Sequence, residues 1–182
     1  MMRHRVKRIT RLLVAPSIVG LIGLVIAGGC STSECYDNQN SLPLAGFYTS
    51  AARPQAISLD SISILGIGAP GDSILQDSVR TISQVYLPFR LDQNSTTYEI
   101  QYLSALPGIY YISDYITFNY DILPMFVSAA CGAVYYYKIT SIETTHNFID
   151  SVTCPSGEIT NANIENLKIY FRVNTGEGED EL

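Results

Sequence analysis

The chain has 182 residues, of which 47% are hydrophobic, and a formal net charge of −6. Five of its 11 lysines and arginines lie before residue 12, so the rest of the chain carries six cations against 17 acids, a net charge of −11. A field of this sign repels nucleic acids and anionic lipid surfaces, which excludes nucleic acid as a partner. We expect no cofactor.

The first 29 residues are typical of a bacterial secretory leader. Five cations precede an apolar run over residues 12–27, which is shorter than the roughly 20 apolar residues of a spanning helix. Ala27, Gly28 and Gly29 then precede Cys30, and the sequence VIAGGC resembles the lipobox of bacterial lipoproteins. This resemblance implies a diacylglyceryl thioether on Cys30 and anchoring in a membrane by acyl chains. The alternative is an ordinary secretory leader that leaves Cys30 as a thiol.

The residue after the lipobox cysteine bears on location. Ser31 is not the inner-membrane retention signal of the Asp type, so lipoprotein sorting implies delivery to the outer membrane of a Gram-negative envelope. The sequence leaves the periplasmic and the surface face open. We therefore expect a signal peptide at 1–29, a lipidated tether at 30–43, a folded domain at 44–173 and an acidic flexible tail at 174–182.

Short segments with a period of two, rich in Ile, Val, Tyr, Phe and Thr, fill the folded domain and predict β-strands. In chain order they cover residues 45–50, 57–64, 72–75, 84–89, 98–102, 115–122, 133–142, 147–152 and 167–173. In 115–122 the apolar face holds Ile116, Phe118, Tyr120 and Ile122. Helix patterns are nearly absent. The pattern predicts an antiparallel β-sandwich of eight to nine strands, immunoglobulin-like or a related Greek key, with a small β-barrel as the alternative.

Three cysteines remain if Cys30 carries lipid, which is an odd number for an oxidising compartment. We favour a Cys35–Cys131 disulfide, because it would fix the tether to the sheet, and Cys131–Cys154 is the alternative. There is no Cys-x-x-Cys pair, so no metal site is predicted.

Catalytic patterns are weak. His146 is the only histidine after the leader, with Thr144, Thr145 and Asp150 nearby, and this spacing is more typical of a turn than of a hydrolase triad. A glycosidase would need two facing carboxylates. Candidates for such a pair are Glu99, Asp114, Asp121 and Glu143, and no two of them stand out. We expect no enzyme, and an envelope hydrolase that uses His146 or a carboxylate pair is the alternative.

The aromatic content, with 13 Tyr, 6 Phe and no Trp, is consistent with a binding or structural module whose partner is a glycan or an envelope protein. An accessory subunit that shares a strand at a sheet edge is a further alternative. Asp-Ser followed by a β-branched residue occurs four times and resembles the acceptor triplet of a periplasmic O-glycosylation system. The matching serines are Ser61, Ser73, Ser78 and Ser151.

Segments in the second half of the chain carry a wider resemblance. They are FVSAACG at 126–132, YKIT at 137–140, THNFIDSV at 145–152 and NLKIYF at 166–171. Together they resemble a family of uncharacterised lipoproteins of Gram-negative gut bacteria, known only as a domain of unknown function. The resemblance implies secretion and lipid anchoring and supplies no activity, although it places His146 and Asp150 in a family-like segment.

Overall fold

A computed structural model describes residues 41–69, 74–79, 81–103, 108, 110–128 and 132–172. These residues form ten strands and no helix. The strands are β1 (Leu44–Thr49), β2 (Ile62–Ile67), β3 (Ile74–Val79), β4 (Gln84–Tyr86), β5 (Ser95–Leu103), β6 (Tyr111–Ser128), β7 (Gly132–Thr144), β8 (Ile149–Thr153), β9 (Glu158–Ile159) and β10 (Glu165–Phe171). Within this part of the chain, no helix has the length and apolarity needed to cross a membrane.

The strands form two sheets, in the orders β4-β1-β10-β8 and β3-β2-β5-β6-β7-β9. Neighbouring strands are antiparallel except β1 and β10, which pair in parallel with Phe47 opposite Ile169. The predicted all-β sandwich is confirmed. The strand that the pattern missed is β9, whose two residues are too short to show a period.

The core lies on the predicted faces of the strands. Ile116, Phe118 and Tyr120 of β6 are buried, as are Leu167 and Ile169 of β10. Aromatic and β-branched residues at every second position cover one face of each sheet, and the two faces close on each other because neither can be left in water.

Several strand boundaries differ from the prediction, most clearly those of β2, β4 and β6. β2 begins only at Ile62, because Ser61 adopts a left-handed backbone conformation with φ 56°. β4 ends at Tyr86, before a segment in which Pro88 has no N–H to donate to a ladder. β6 extends from Tyr111 to Ser128, although alternation was seen only over 115–122.

The long β6 has a different partner along each half. β5 pairs with it from Tyr111 to Asn119, whereas β7 pairs with it from Ile116 to Ser128. Beyond Asn119 β6 is therefore held by β7, and the two strands continue past β5 as a hairpin. We call the paired segments Leu123–Phe126 on β6 and Ala133–Tyr136 on β7, which lie near the end of this hairpin, the hairpin end.

Candidate functional site

A cleft of about 270 Å³ is lined by residues of both strands that flank β2 and by the segment after β4. Gly66 and Ile67 of β2, Leu75 of β3 and Tyr98 of β5 supply apolar surface, and Phe89 supplies an aromatic ring. Pro88, Arg90, Thr96 and Ala69 complete the lining. Among its described lining residues the site is thus mainly apolar, with one charged side chain.

Thr96 and Tyr98 line the cleft, and Tyr120 stacks on the lining residue Phe89. The hydroxyls of these three residues are hydrogen-bonded to one another or to the backbone. The Tyr120 hydroxyl donates to the Arg90 carbonyl at 2.8 Å, and the Arg90 N–H donates to Thr96 Oγ1 at 3.0 Å. Because the phenol proton is used in this way, Thr96 Oγ1 donates to the Tyr120 oxygen at 2.7 Å. The Tyr98 hydroxyl donates to the Pro88 carbonyl. Burial raises the pKa of Tyr98 and of Tyr120, so both phenols are neutral donors at pH 7.

The Arg90 guanidinium is fixed at the cleft wall. Its Nε and Nη2 donate to the two carboxylate oxygens of Asp92 at 3.0 and 2.7 Å, and its Nη1 donates to the Gly68 carbonyl at 2.5 Å. The hydrogen bond from Arg90 lowers the pKa of Asp92, and the same bond raises the pKa of Arg90. This bidentate geometry sets the orientation of the positive charge.

The Phe89 ring connects the cleft to the core. It stacks on Tyr120 with ring centroids 4.6 Å apart and contacts Phe118 and Tyr137 at 5.1 and 5.3 Å. Rings held on several sides have little freedom to move, so this wall of the cleft is rigid.

Sequence reasoning did not single out the cleft. Phe89 was expected to end a strand, and Arg90 was given no role. One signal was available, namely an arginine within the apolar run Leu87, Pro88, Phe89 and Leu91, where an unbound charge would be costly.

Asp114, one of the carboxylate candidates, is fully buried and accepts four hydrogen bonds. Its Oδ1 accepts from Thr145 Oγ1 and from the Asn147 N–H, both at 2.8 Å. Its Oδ2 accepts from the N–H groups of Phe148 and Ile149 at 2.7 and 3.0 Å. The side chain therefore fastens the β7–β8 loop to β6.

Near Asp114, the buried Tyr102 hydroxyl has no hydrogen-bond partner within the described part of the chain. The pKa of Tyr102 is raised mainly by burial, and the nearby Asp114 carboxylate raises it further.

His146 lies exposed in the β7–β8 loop. Its Nδ1 is 3.2 Å from the Ile149 carbonyl, and its own carbonyl accepts from Arg172 Nη1 at 2.8 Å. Asp150 forms an exposed ion pair with Arg172 at 3.8 Å. His146 is not among the residues that line the cleft.

The other three carboxylate candidates do not form a facing pair with Asp114. Glu99 lies opposite Tyr115, the neighbour of Asp114, and so projects from the other face of the sheet. There its Oε1 accepts from Ser113 Oγ at 2.7 Å. Glu143 Oε1 accepts from Asn119 Nδ2 at 3.3 Å, and Asp121 lies opposite Lys138.

Two of the four Asp-Ser triplets present exposed serines in left-handed backbone conformations. Ser61 has φ 56° and Ser78 has φ 47°, and both lie at the same end of β2 and β3, beside the pair Ile62 and Val79. Ser151 is half-buried in the edge strand β8. Ser73 lies outside the described residues.

The predicted lipid site, Cys30, lies outside the described residues, as do Cys35 and Cys131. Cys154 has no disulfide partner among the residues that the structure describes, and its sulfur is 3.7 Å from Ser156 Oγ. Among the residues that the structure describes, no three His, Cys, Asp or Glu side chains are grouped as metal ligands would be.

The two sheets and their common core define a small β-sandwich domain. Residues 61–171 match the family model described as a family of unknown function, DUF6452, and the chain belongs to this family. The matched region runs from the start of β2 to the end of β10 and confirms the predicted domain of unknown function. No curated protein and no solved structure matches the chain.

Proposed function

We propose that this protein is a lipid-anchored lipoprotein of a Gram-negative cell envelope, of the kind found in gut bacteria. Its β-sandwich is a binding module without enzymatic activity. The ligand site is the cleft beside Arg90, and the ligand is a small, mainly apolar molecule or the apolar group of a glycan or an envelope protein. Delivery is to the outer membrane.

The lipid anchor is supported by the leader and by the place where the domain begins. Cys30 follows the small residues of a lipobox, and only eleven residues further on Ser41 is buried in the domain. The chain after Cys30 thus supplies a short connection and then the fold. Because the mature chain carries a charge of −11, attraction to anionic headgroups cannot hold it on a membrane, and acyl chains can.

The observation that carries the binding role is the cleft itself. Its aromatic wall is fixed by the Phe89 stack, and its hydroxyls are already bonded to one another or to carbonyl groups. Small-molecule sites are commonly preformed, mainly apolar clefts with a few placed polar groups, and this cleft has that composition. The ligand would place its apolar body against Phe89 and an acceptor group toward Arg90.

The residues considered for catalysis support binding over hydrolysis. Asp114 is engaged by three backbone N–H groups and one hydroxyl, which is the environment of a loop anchor rather than of a proton donor. His146 is exposed and contacts the carbonyl of its own loop.

The lengths of the edge strands limit strand sharing to β3 and β8, which have six and five residues. Two of the four edge strands, β4 and β9, have three and two residues, and short edges offer little backbone for a partner strand.

Metabolic labelling with an alkyne fatty acid tests the anchor. We expect Cys30→Ala to abolish labelling and to release the protein from the membrane fraction, because the thioether has no other attachment atom. Cys35→Ala is the matched control and should remain labelled and membrane-bound. Retention of the Cys30→Ala protein in the membrane would mean that the leader stays as an uncleaved helix, and the proposal would fail.

An anionic naphthalene dye, 1-anilinonaphthalene-8-sulfonate, tests the cleft. Ala69→Phe would place a ring in the cleft, and we expect it to weaken dye binding at least about tenfold, which corresponds to about 1.4 kcal/mol. Ala52→Phe adds the same ring at an exposed turn and should leave the affinity unchanged. Equal dye binding by both variants would exclude the cleft as the site.

We also propose that at least one Asp-Ser triplet is O-glycosylated, because Ser61 and Ser78 are exposed. The intact mass of the natively expressed protein should exceed the mass of the lipidated chain, and Ser61→Ala with Ser78→Ala should lower the excess. A native mass equal to that of the lipidated chain would exclude modification.

A further inference from the structure

The hairpin end exposes large apolar side chains on both of its faces. Leu123 and Met125 are 36% and 47% exposed on one face, and Phe126 is 75% exposed on the other. Along most of β6, alternate residues are buried on one face and polar on the other. The hairpin end departs from this pattern. Exposed apolar patches of this kind mark surfaces that meet something other than water.

The same part of the sequence carries no charge. From Ile122 to Tyr137 there are 16 consecutive residues without Asp, Glu, Lys, Arg or His, in a mature chain whose net charge is −11. Exposed apolar side chains, taken alone, would be compatible with a protein partner as well as with a membrane. A long uncharged segment that also exposes apolar groups on both faces is suited to a low-dielectric surrounding, since no charge has to be dehydrated there.

The start of the described chain lies beside this hairpin end. Ser41 is buried, and its hydroxyl donates to the Tyr135 carbonyl at 2.6 Å. Tyr135 is paired with Pro124, so the path from Ser41 to Phe126 is one hydrogen bond, one strand spacing and two residues along the strand, on the order of 10–15 Å. The described part of the chain therefore begins beside the hairpin end.

Chain length limits how far this end lies from the lipid. Ser41 is eleven residues after Cys30, and in any conformation this stretch spans at most about 40 Å. The other end of β6, at Tyr111, is 13 residues from Pro124, or about 43 Å at the rise of a strand. Cys30 therefore lies within about 40 Å of Ser41, and only a nearly fully extended connection would bring it to the level of Tyr111.

We propose that the hairpin end inserts its apolar side chains into the interface of the membrane that carries the lipid anchor. This inference rests on the proposed acylation of Cys30. Phe126, Met125 and Leu123 would enter the boundary between headgroups and acyl chains, and Tyr135 and Tyr136 would lie at headgroup level, where tyrosine is enriched. The acyl chains give the affinity, and the hairpin end fixes the orientation of the sandwich.

Tryptophan fluorescence tests the proposal, because the natural chain has no tryptophan. Phe126→Trp places one indole at the hairpin end, and Tyr110→Trp places one next to the far end of β6, where Tyr110 is 79% exposed. Each variant is expressed in its native host, purified with its lipid and reconstituted on phosphatidylcholine vesicles with and without brominated acyl chains. We expect a blue shift and strong quenching for Phe126→Trp, and neither for Tyr110→Trp.

Vesicle flotation and acyl labelling of the same samples report the anchor separately. If the labelled protein floats with vesicles and the indole of Phe126→Trp remains in water, the inserted hairpin is excluded and the anchor stands. If the protein is neither labelled nor floated, the proposed anchor itself fails. A blue shift that is already present without vesicles, or one without quenching by brominated lipid, would show that the hairpin end docks on protein and would overturn the proposal.

A second variant is designed to prevent insertion of the hairpin end and requires no added tryptophan. Phe126→Glu puts a carboxylate at an exposed site, so the fold should be retained. The lipidated protein should still float, and hydrogen exchange at the hairpin end should lose its vesicle-dependent protection. Unchanged vesicle-dependent protection in Phe126→Glu would count against insertion of this end.

Discussion

The two halves of β6 differ in what surrounds them, although they belong to one continuous strand. From Tyr111 to Tyr120 the strand lies in the sandwich, with Ile116 and Phe118 fully buried and polar residues such as Thr117 on the other face. From Leu123 to Phe126 it has apolar residues on both faces and is paired with β7 but not with β5. Alternation therefore marks where a sheet separates core from water, and its loss within a strand marks a change of surroundings.

The largest difference in stability between the two halves should appear when one phenylalanine in each half is replaced by alanine. Phe118→Ala is expected to lower the free energy of unfolding by about 3–5 kcal/mol, because a fully buried ring leaves a cavity. Phe126→Ala should change it by no more than about 0.5 kcal/mol in detergent-free solution of the unlipidated domain. Urea unfolding followed by circular dichroism measures both values. A similar loss in both variants would mean that the hairpin end is part of the core.

A somewhat smaller effect is expected from the buried carboxylate in the first half. Asp114→Ala leaves three N–H groups of the β7–β8 loop without their acceptor, and the expected loss of unfolding free energy is about 2–4 kcal/mol. Asp150→Ala removes an exposed ion pair and should cost at most about 0.5 kcal/mol. If the two variants unfold at the same urea concentration, Asp114 does not fasten the loop.

The smallest effect on stability is expected at alkaline pH, from Tyr137 of β7, which pairs with Ile122 between the two halves of β6. Burial raises the pKa of Tyr137 to about 12, whereas tyrosine in the unfolded chain titrates near 10. The folded state thus holds its proton more tightly, so this contribution to stability is complete below pH 10 and declines as the pH rises toward 12.

Urea midpoints at about pH 9 and about pH 11 measure this decline. Tyr137→Phe should make it shallower, because one of the phenols that must ionise is removed. Tyr110→Phe changes an exposed tyrosine and should leave the decline as in the natural protein. A steeper decline in Tyr137→Phe would contradict the assignment.

Most of the fold was predictable, and most of the cleft was not. The period of two in Tyr98–Tyr102, Ile116–Ile122 and Leu167–Phe171 identified strands and their buried faces, because side-chain direction in a strand follows directly from position. The cleft depends on how the segment around Phe89 packs on Tyr120, which lies 31 residues away in the sequence. Asp114 was considered as a catalytic carboxylate, since the sequence does not show the loop amides that fold onto it.

The sequence by itself determined that the folded part is an all-β sandwich, that its mature charge is strongly acidic, and that Cys30 follows a lipobox-like leader, because composition, period and spacing are local properties. The tertiary structure decided that Ser41 lies against Tyr135 and that β6 extends beyond β5 into an apolar hairpin. It also formed the cleft from β2, β5 and the segment after β4. These features depend on contacts between residues far apart in the chain, and such contacts are set by the packing of the two sheets as a whole.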